Sequence, residues 1–334
     1  MITRRSALAA GAALLARTAV AASPERWTIV TEYPASAISG EGIAFFAAAA
    51  NRLSGEALDV QPRFDAPDGL RSAAMLDAVA NGSVTAADAF TGALAGAAPI
   101  FQLSALPFLT RSAPDAARLL SIARPAYQAV LAARGTALLY ATPWPPTGLW
   151  SRTPVLDAAA LQGLRVRTYD AASTDVFTAA GAKPVKISFA DALPRLRAGD
   201  LDAVLSSGDG GAGARLWEMP PHFTVLHYAF PLSLAFCAER TLAALSPSVA
   251  EEVQRAARDT QARQFQAMTT RVKENEARMR QQGVQIAEAP SLRATLEQTS
   301  EPVVAAWRQK VGPNGRAILA ACRSEILVVS RSRG

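Results

Sequence analysis

Apolar and polar positions follow two periods along this chain, and the periods succeed one another in a regular order. Trp27–Thr31 ("WTIVT") reads as a strand and Ser39–Leu53 as a helix. Strand Leu58–Pro62, helix Gly69–Ala80 and strand Val84–Ala89 follow, the last two joined through Asn81-Gly82. The stretch 93–109, "ALAGAAPIFQLSALPFL", contains Pro99 and Pro107 and reads as an irregular connection. Helix Pro114–Arg134 ends before Gly135, and Ala137–Ala141 is a strand. This β-α-β-α order predicts a largely parallel α/β sheet.

The same rhythm then starts again. Strand 164–168 ("LRVRT") leads to helix Ala171–Ala180, strand 183–187 ("KPVKI") to helix Phe189–Ala198, and strand 202–206 ("DAVLS") to a short helix Gly210–Met219. Pro-rich "TPWPPTG" precedes this second set and "YAFPL" follows it, so both read as hinges between two lobes. The clearest single element is a helix from Pro247 to about Gln282. Ser246 is its candidate N-cap, with Ser248 and Glu251 as an alternative capping box, and Gly283 ends it. At 1.5 Å per residue it is roughly 50 Å long, enough to lie across two lobes.

Composition narrows the class. The chain has 334 residues, 50% of them hydrophobic, which suffices for two well-formed cores. Arg4 and Arg5, the apolar run Ala7–Ala16 and the small-x-small pattern Ala19-Val20-Ala21 have the layout of a secretory signal over residues 1–22. Cleavage is expected near Ala21/Ala22, by the Sec route or, given "TRR", the twin-arginine (Tat) route. Loss of residues 1–22, which carry three arginines and no acid, lowers the formal charge from +6 to +3. That is too mild a charge, and too scattered, to indicate nucleic acid. Cys237 and Cys322 are the only cysteines and His222 and His227 the only histidines, so no metal-ligand cluster and no nucleophile–base arrangement is legible.

Within the second set, "GLRVRTYD" puts Arg165 and Arg167 two residues apart on one strand, hence on one side of it. An arginine at the carboxyl end of a parallel strand opens into the crevice where α/β sheets bind ligands, and its planar fork grips a carboxylate. A salt bridge to Asp170 or Asp202 is the structural alternative.

Several stretches together resemble the solute-binding proteins of tripartite ATP-independent periplasmic (TRAP) transporters, the DctP-like family. They are "ALPFLTRSAPDAARLL" (105–120), the block 156–207 with its "GL-x-x-R" strand, "GA-x-PV" turn and "G-x-x-DA" end, and "VGPNGRAILAACR" (311–323). The resemblance implies a two-lobed α/β periplasmic binding protein fold, with a cleft between the lobes and a long helix spanning both. Its expected parts are a signal peptide (1–22), lobe I (23–143 plus 232–250), lobe II (144–231), the lobe-spanning helix (247–283) and C-terminal helices packing on the lobes (284–334). It implies a periplasmic monomer without cofactor, metal or catalysis, which delivers a small carboxylate to a small and a large membrane subunit.

In the family pattern the last arginine of the "GL-x-x-R" strand, here Arg167, meets the ligand carboxylate, while Arg165 stands at a basic non-ligand position. The second arginine of sialic-acid-type members is missing, Arg152 matching a different position, and Ser206 stands where an asparagine is expected. "PWPPTGL" with "LSSGDGG" resembles a branch associated with small hydroxylated or aromatic monocarboxylates. Trp144, between two prolines, is a candidate ligand contact or a packed hinge residue. Ser206 and Ser207 are candidate contacts or a helix cap, and Tyr33 and Thr91 stand at strand ends in lobe I as contacts or caps. Two rival functions stay open: a ligand-sensing subunit for a membrane receptor, and an enzyme on a similar bilobal fold.

Overall fold

The computed structural model describes residues 24–55 and 57–331; the expected signal segment lies outside them. The first lobe begins with β1 (Glu25–Thr31), α1 (Ile38–Leu53), β2 (Leu58–Arg63), α2 (Ser72–Asn81) and β3 (Ala86–Phe90). Two 3-10 turns (Thr91–Gly96 and Pro99–Ala105), α3 (Ala113–Ala132) and β4 (Thr136–Pro143) complete its first pass. The chain then crosses into the second lobe as β5 (Thr147–Ser151), α4 (Ala158–Leu161), β6 (Arg165–Thr168), α5 (Ala171–Ala179), β7 (Lys183–Lys186), α6 (Phe189–Arg197), β8 (Ala203–Ser207), α7 (Gly208–Gly213) and β9 (His222–Val225). It returns through β10 (Leu232–Ala238) and α8 (Glu239–Ala243) to α9 (Pro247–Gln281), and ends with β11 (Gln285–Glu288), α10 (Pro290–Lys310) and α11 (Gly312–Arg331). The two-lobed α/β class expected from sequence is the class observed.

The sheets are mixed rather than largely parallel. The first has the order β2-β1-β3-β10-β4 and the second β11-β9-β5-β8-β6-β7. In each, one strand runs against its neighbours: β10 against β3 and β4, β5 against β8 and β9. Geometry dictates this. Parallel strands aim their carboxyl ends at the cleft, and a strand arriving from the other lobe starts at the cleft and must run away from it. Neither reversed strand stands out in the sequence, because each begins beside a Pro-rich segment that reads as a connection. A second correction concerns the C-terminal part, where helices alone were expected: β11 first pairs in parallel with β9 and extends the second sheet.

The two crossings are bonded to one another. Trp144 N donates to Pro231 O (2.8 Å), Thr147 N to Ala229 O (2.9 Å) and Tyr228 N to Thr147 O (3.0 Å), forming a narrow ribbon between the lobes. Helix α9 starts as expected, with Pro247 in its first turn and Ser246 Oγ accepting from Val249 N. It packs on α1 and β4 of the first lobe and on α7 and β11 of the second, at a length of about 52 Å.

Side chains bind the lobes further. Asp209, fully buried in α7, accepts from Ile38 N at the start of α1 (2.7 Å), from Arg271 Nε (2.5 Å) and from Asn275 Nδ2 (2.9 Å). Arg271, on α9, also reaches Glu41 Oε1 and Ser36 O. Arg71 meets Asp191 across the cleft at 2.6 Å. The glycine-rich start of α7 has a packing reason, since a Cβ on Gly211 would stand 2.2 Å from the Trp150 ring. Cys237 and Cys322 are buried free thiols on β10 and α11, and burial pushes them up to about 12 and about 11.

Candidate functional site

The two arginines of "GLRVRTYD" have separate fates, although the pleat turns them to the same side. Arg165, at the outer end of β6, is half-exposed and paired with Asp202 through Nε (2.9 Å) and Nη2 (2.5 Å). These bonds hold the Asp202 carboxyl below its usual range. Arg167, one pleat nearer the cleft, is 4% exposed. Its Nε donates to Ile187 O (3.0 Å), just past β7, and its Nη1 to Leu205 O (2.9 Å), in the middle of β8. The rings of Tyr169 and Phe189 lie 5.8 and 5.7 Å from its Cζ.

Among the described residues no carboxylate pairs with Arg167, so neither structural alternative, Asp170 or Asp202, takes it. Burial pushes the guanidinium down from its ordinary range, and Tyr33 and Glu32 act in the opposite direction. An arginine nevertheless stays protonated. The result is a desolvated cation clamped by two carbonyls, its Nη2 without a hydrogen-bond partner among the described residues. Such a group is expensive to bury without an anion and needs no rearrangement to receive one.

Around it lies a narrow recess of about 30 Å³. Tyr33 and Phe90 close it from the first lobe, Trp144 and Pro231 from the crossings between the lobes, and Tyr169, Phe189, Ser206, Ser207 and Thr147 from the second lobe. Ring contacts join the two lobes, Tyr33 standing 6.1 Å from Phe189 and Phe90 meeting Tyr169 edge-on at 5.1 Å, and Tyr33 also stands 4.5 Å from Trp144 in the crossing. Trp144 is oriented by an Nε1–H bond to Ser233 Oγ (2.9 Å). Tyr33, Phe90, Arg167 and Tyr169 also face a wider cavity of about 650 Å³ that includes Asp170, Gln102, Lys186 and Lys310. The recess thus offers one cation, flat aromatic walls and hydroxyls, groups suited to holding and orienting a small anion.

Five of the six site residues expected from sequence line this recess: Arg167, Trp144, Ser206, Ser207 and Tyr33. Ser207 also acts as a cap, its Oγ accepting from Gly210 N at 3.0 Å. Thr91 is a correction. The turn after β3 carries its hydroxyl away from the cleft, to Leu232 O (2.9 Å) and Ser104 Oγ (2.8 Å), where it ties that turn to β10 within the first lobe. Arg152 bonds to backbone carbonyls of Leu201 and Leu196 and lines neither space. Sequence reasoning missed Tyr169, Phe189 and Phe90. Each follows or ends a strand that points at the cleft, and that position was the available signal.

Comparison with known proteins adds the following. The family model for bacterial extracellular solute-binding proteins, family 7 (DctP), matches residues 29–310. None of the curated proteins compared matches the sequence. Among solved structures, DctP7 of Bordetella pertussis, an extracytoplasmic solute receptor binding pyroglutamic acid, is 24% identical with a TM-score of 0.86, covering 90% of this chain and 99% of that one. A marine-metagenome TRAP solute-binding protein specific for pyroglutamate is also 24% identical, at a TM-score of 0.85 with 90% and 99% covered. A TRAP solute-binding protein of Xanthobacter autotrophicus with bound β-D-galacturonate is 13% identical, at a TM-score of 0.82 with 89% and 99% covered. At these identities the likeness is one of fold.

Proposed function

This chain belongs to the bacterial extracellular solute-binding protein family 7, and from that membership we propose that it captures a small organic monocarboxylate between its lobes for a TRAP transporter. The single observation behind this reading is Arg167: buried, oriented by two carbonyls, and unpaired by any acid among the described residues. A carboxylate entering the recess takes its remaining N–H groups in charge-assisted hydrogen bonds. Tyr33, Trp144 and Phe189 pack against the body of the ligand, and Ser206 reads a hydroxyl or carbonyl on it. The class is a compact hydroxylated, cyclic or aromatic acid, and pyroglutamate in two structural relatives is of that size.

Binding favours the closed arrangement because the recess takes walls from both lobes. The lobes act as the units 23–143 with 232–250 and 144–231, the second completed by β11. Export under the 1–22 signal, by Sec or Tat with cleavage near Ala21/Ala22, brings the monomer to the periplasm. There the closed form docks on the small and large membrane subunits.

The test is a thermal-shift screen of small organic acids followed by calorimetry on the hits and on Arg167→Ala. At least one monocarboxylate is expected to stabilise the protein, and the variant to lose roughly 100-fold or more in affinity for it, as removal of one partner of a buried charge pair does. A screen in which no carboxylate binds, or a variant that keeps full affinity, overturns the reading.

A further inference from the structure

Once Arg167 holds the ligand carboxylate, the reading on which this step rests, the surrounding charges decide what the far end of the ligand can carry. Glu32 follows β1 directly, at the carboxyl end of that strand, and is 5% exposed. Its Oε2 accepts from the N–H of Ser72 (2.8 Å), the first residue of α2, whose N-cap Arg71 offers no side-chain bond. Its charge also reaches the recess. Burial first, and then the charge and hydrogen bond of Glu32, raise the Tyr33 phenol well above its ordinary value, and the same charge acts on the Arg167 guanidinium. Glu32, Tyr33 and Arg167 all line the 650 Å³ cavity.

The charged side chains of this cavity fall into two zones. Arg167, Glu32 and Asp170 are buried, one cation against two acids. Asp170 is engaged by Ser173 N (2.8 Å) and by Gln102 across the cleft. Farther out, Arg71 is committed to Asp191 (2.6 Å) and exposed Arg134 to Asp77 (3.0 Å). Lys186 and Lys310 are exposed, where water and salt screen them. A carboxylate on Arg167 therefore uses the one buried cation. A second carboxylate on the same ligand enters a desolvated centre that has no cation left and already holds the Glu32 charge. We infer that Glu32 selects the charge of the ligand: it admits a monocarboxylate whose far end is neutral or cationic and turns away one that bears a second carboxylate. Capping α2 needs only an acceptor at this position, so the charge is separable from the structural role.

The test is calorimetry with three probes on one ring: cis-3-aminocyclopentanecarboxylate, cis-3-carbamoylcyclopentanecarboxylate and cis-cyclopentane-1,3-dicarboxylate. They place an ammonium, a neutral amide and a carboxylate at the same position. The wild type is expected to bind the amide roughly 100-fold more tightly than the dicarboxylate, and to bind the ammonium more tightly than the dicarboxylate too. Desolvation penalises both ions, so the order of those two reports the sign of the local charge. Glu32→Gln keeps an oxygen for Ser72 N and loses the charge. It is expected to shrink the ratio of amide to dicarboxylate affinity by roughly tenfold or more, and to weaken the ammonium against the amide by a similar factor.

A wild type that binds the dicarboxylate as tightly as the amide, or the ammonium no more tightly than the dicarboxylate, overturns the assignment. So does a Glu32→Gln variant with the ratios of the wild type. If Arg167→Ala still loses roughly 100-fold for the amide probe in those cases, the carboxylate reading stands without it. If none of the three probes binds, both fall together.

Discussion

Asp88 sits in the middle of β3, fully buried, with Ser39 Oγ donating to its Oδ1 at 2.5 Å and with no partner for Oδ2 among the described residues. Small Ala235 on β10 stands between it and Tyr140, being the register partner of both. Burial raises its carboxyl from 3.8 to about 7, against the lowering influence of Ser39 and Ser233. The folded protein therefore holds a proton that the unfolded chain releases near pH 4. Stability from this group is fully present below pH 3.8 and is lost as pH rises toward 7. At about 1.4 kcal/mol per unit, the gap of about three units amounts to at most about 4 kcal/mol, of which about 2–3 kcal/mol falls between pH 5 and pH 7. Asp88→Asn keeps the acceptor for Ser39 and cannot titrate, so it shifts stability by an amount that does not depend on pH. Urea melts of both proteins at half-unit steps from pH 5 to pH 8 measure the difference. The variant is expected to gain on the wild type steadily up to pH 7 and then run level with it. A difference flat to within about 0.5 kcal/mol across that range means Asp88 is already ionised when folded, and the burial argument is refuted.

Arg71→Ala removes the ion pair that Arg71 makes with Asp191 across the cleft. Both partners are partly exposed, so ligand affinity is expected to fall only two- to fivefold, mainly through faster dissociation in stopped-flow traces. Gly211→Ala forces a methyl into the Trp150 ring and is expected to destabilise by about 2–3 kcal/mol in chemical melts, with little change in the affinity of the folded fraction. The two thiols are expected to ignore iodoacetamide in the native protein and to react fully in denaturant, because burial holds both protonated far above neutral pH. Mass spectrometry after timed labelling counts the adducts, and rapid native labelling of either residue contradicts that picture.

Two lobes, the proline-rich crossings between them and the long helix were legible because each leaves a signal longer than one turn: a repeated β-α rhythm, proline clusters, and a 35-residue helix with a clean start and stop. Arg167 was legible because strand position and residue chemistry coincide there. Thr91 misled because standing after a strand end says that a residue is near the mouth, not which way its hydroxyl turns. Phe189 and Tyr169 went unseen for a related reason, since an aromatic that walls a cleft and one that fills a core look alike in one sequence. Four-residue β11, exposed at both ends, carries no period long enough to detect and exists only because β9 offers it an edge. Asp170 reads as an ordinary helix cap, and only the folded chain brings Gln102 of the first lobe to its carboxylate.

The ribbon joining the lobes contains Trp144, whose backbone N–H makes one of its bonds and whose indole walls the recess. The joint and the wall of the recess therefore share one residue. Replacing Trp144 removes the indole bond to Ser233 at the start of β10 along with the aromatic wall, so a change in the recess is also a change beside the joint. Phe189 and Ser206 lie outside the ribbon and carry no such double duty. A substitution at either position reshapes the recess and leaves the joint as it was.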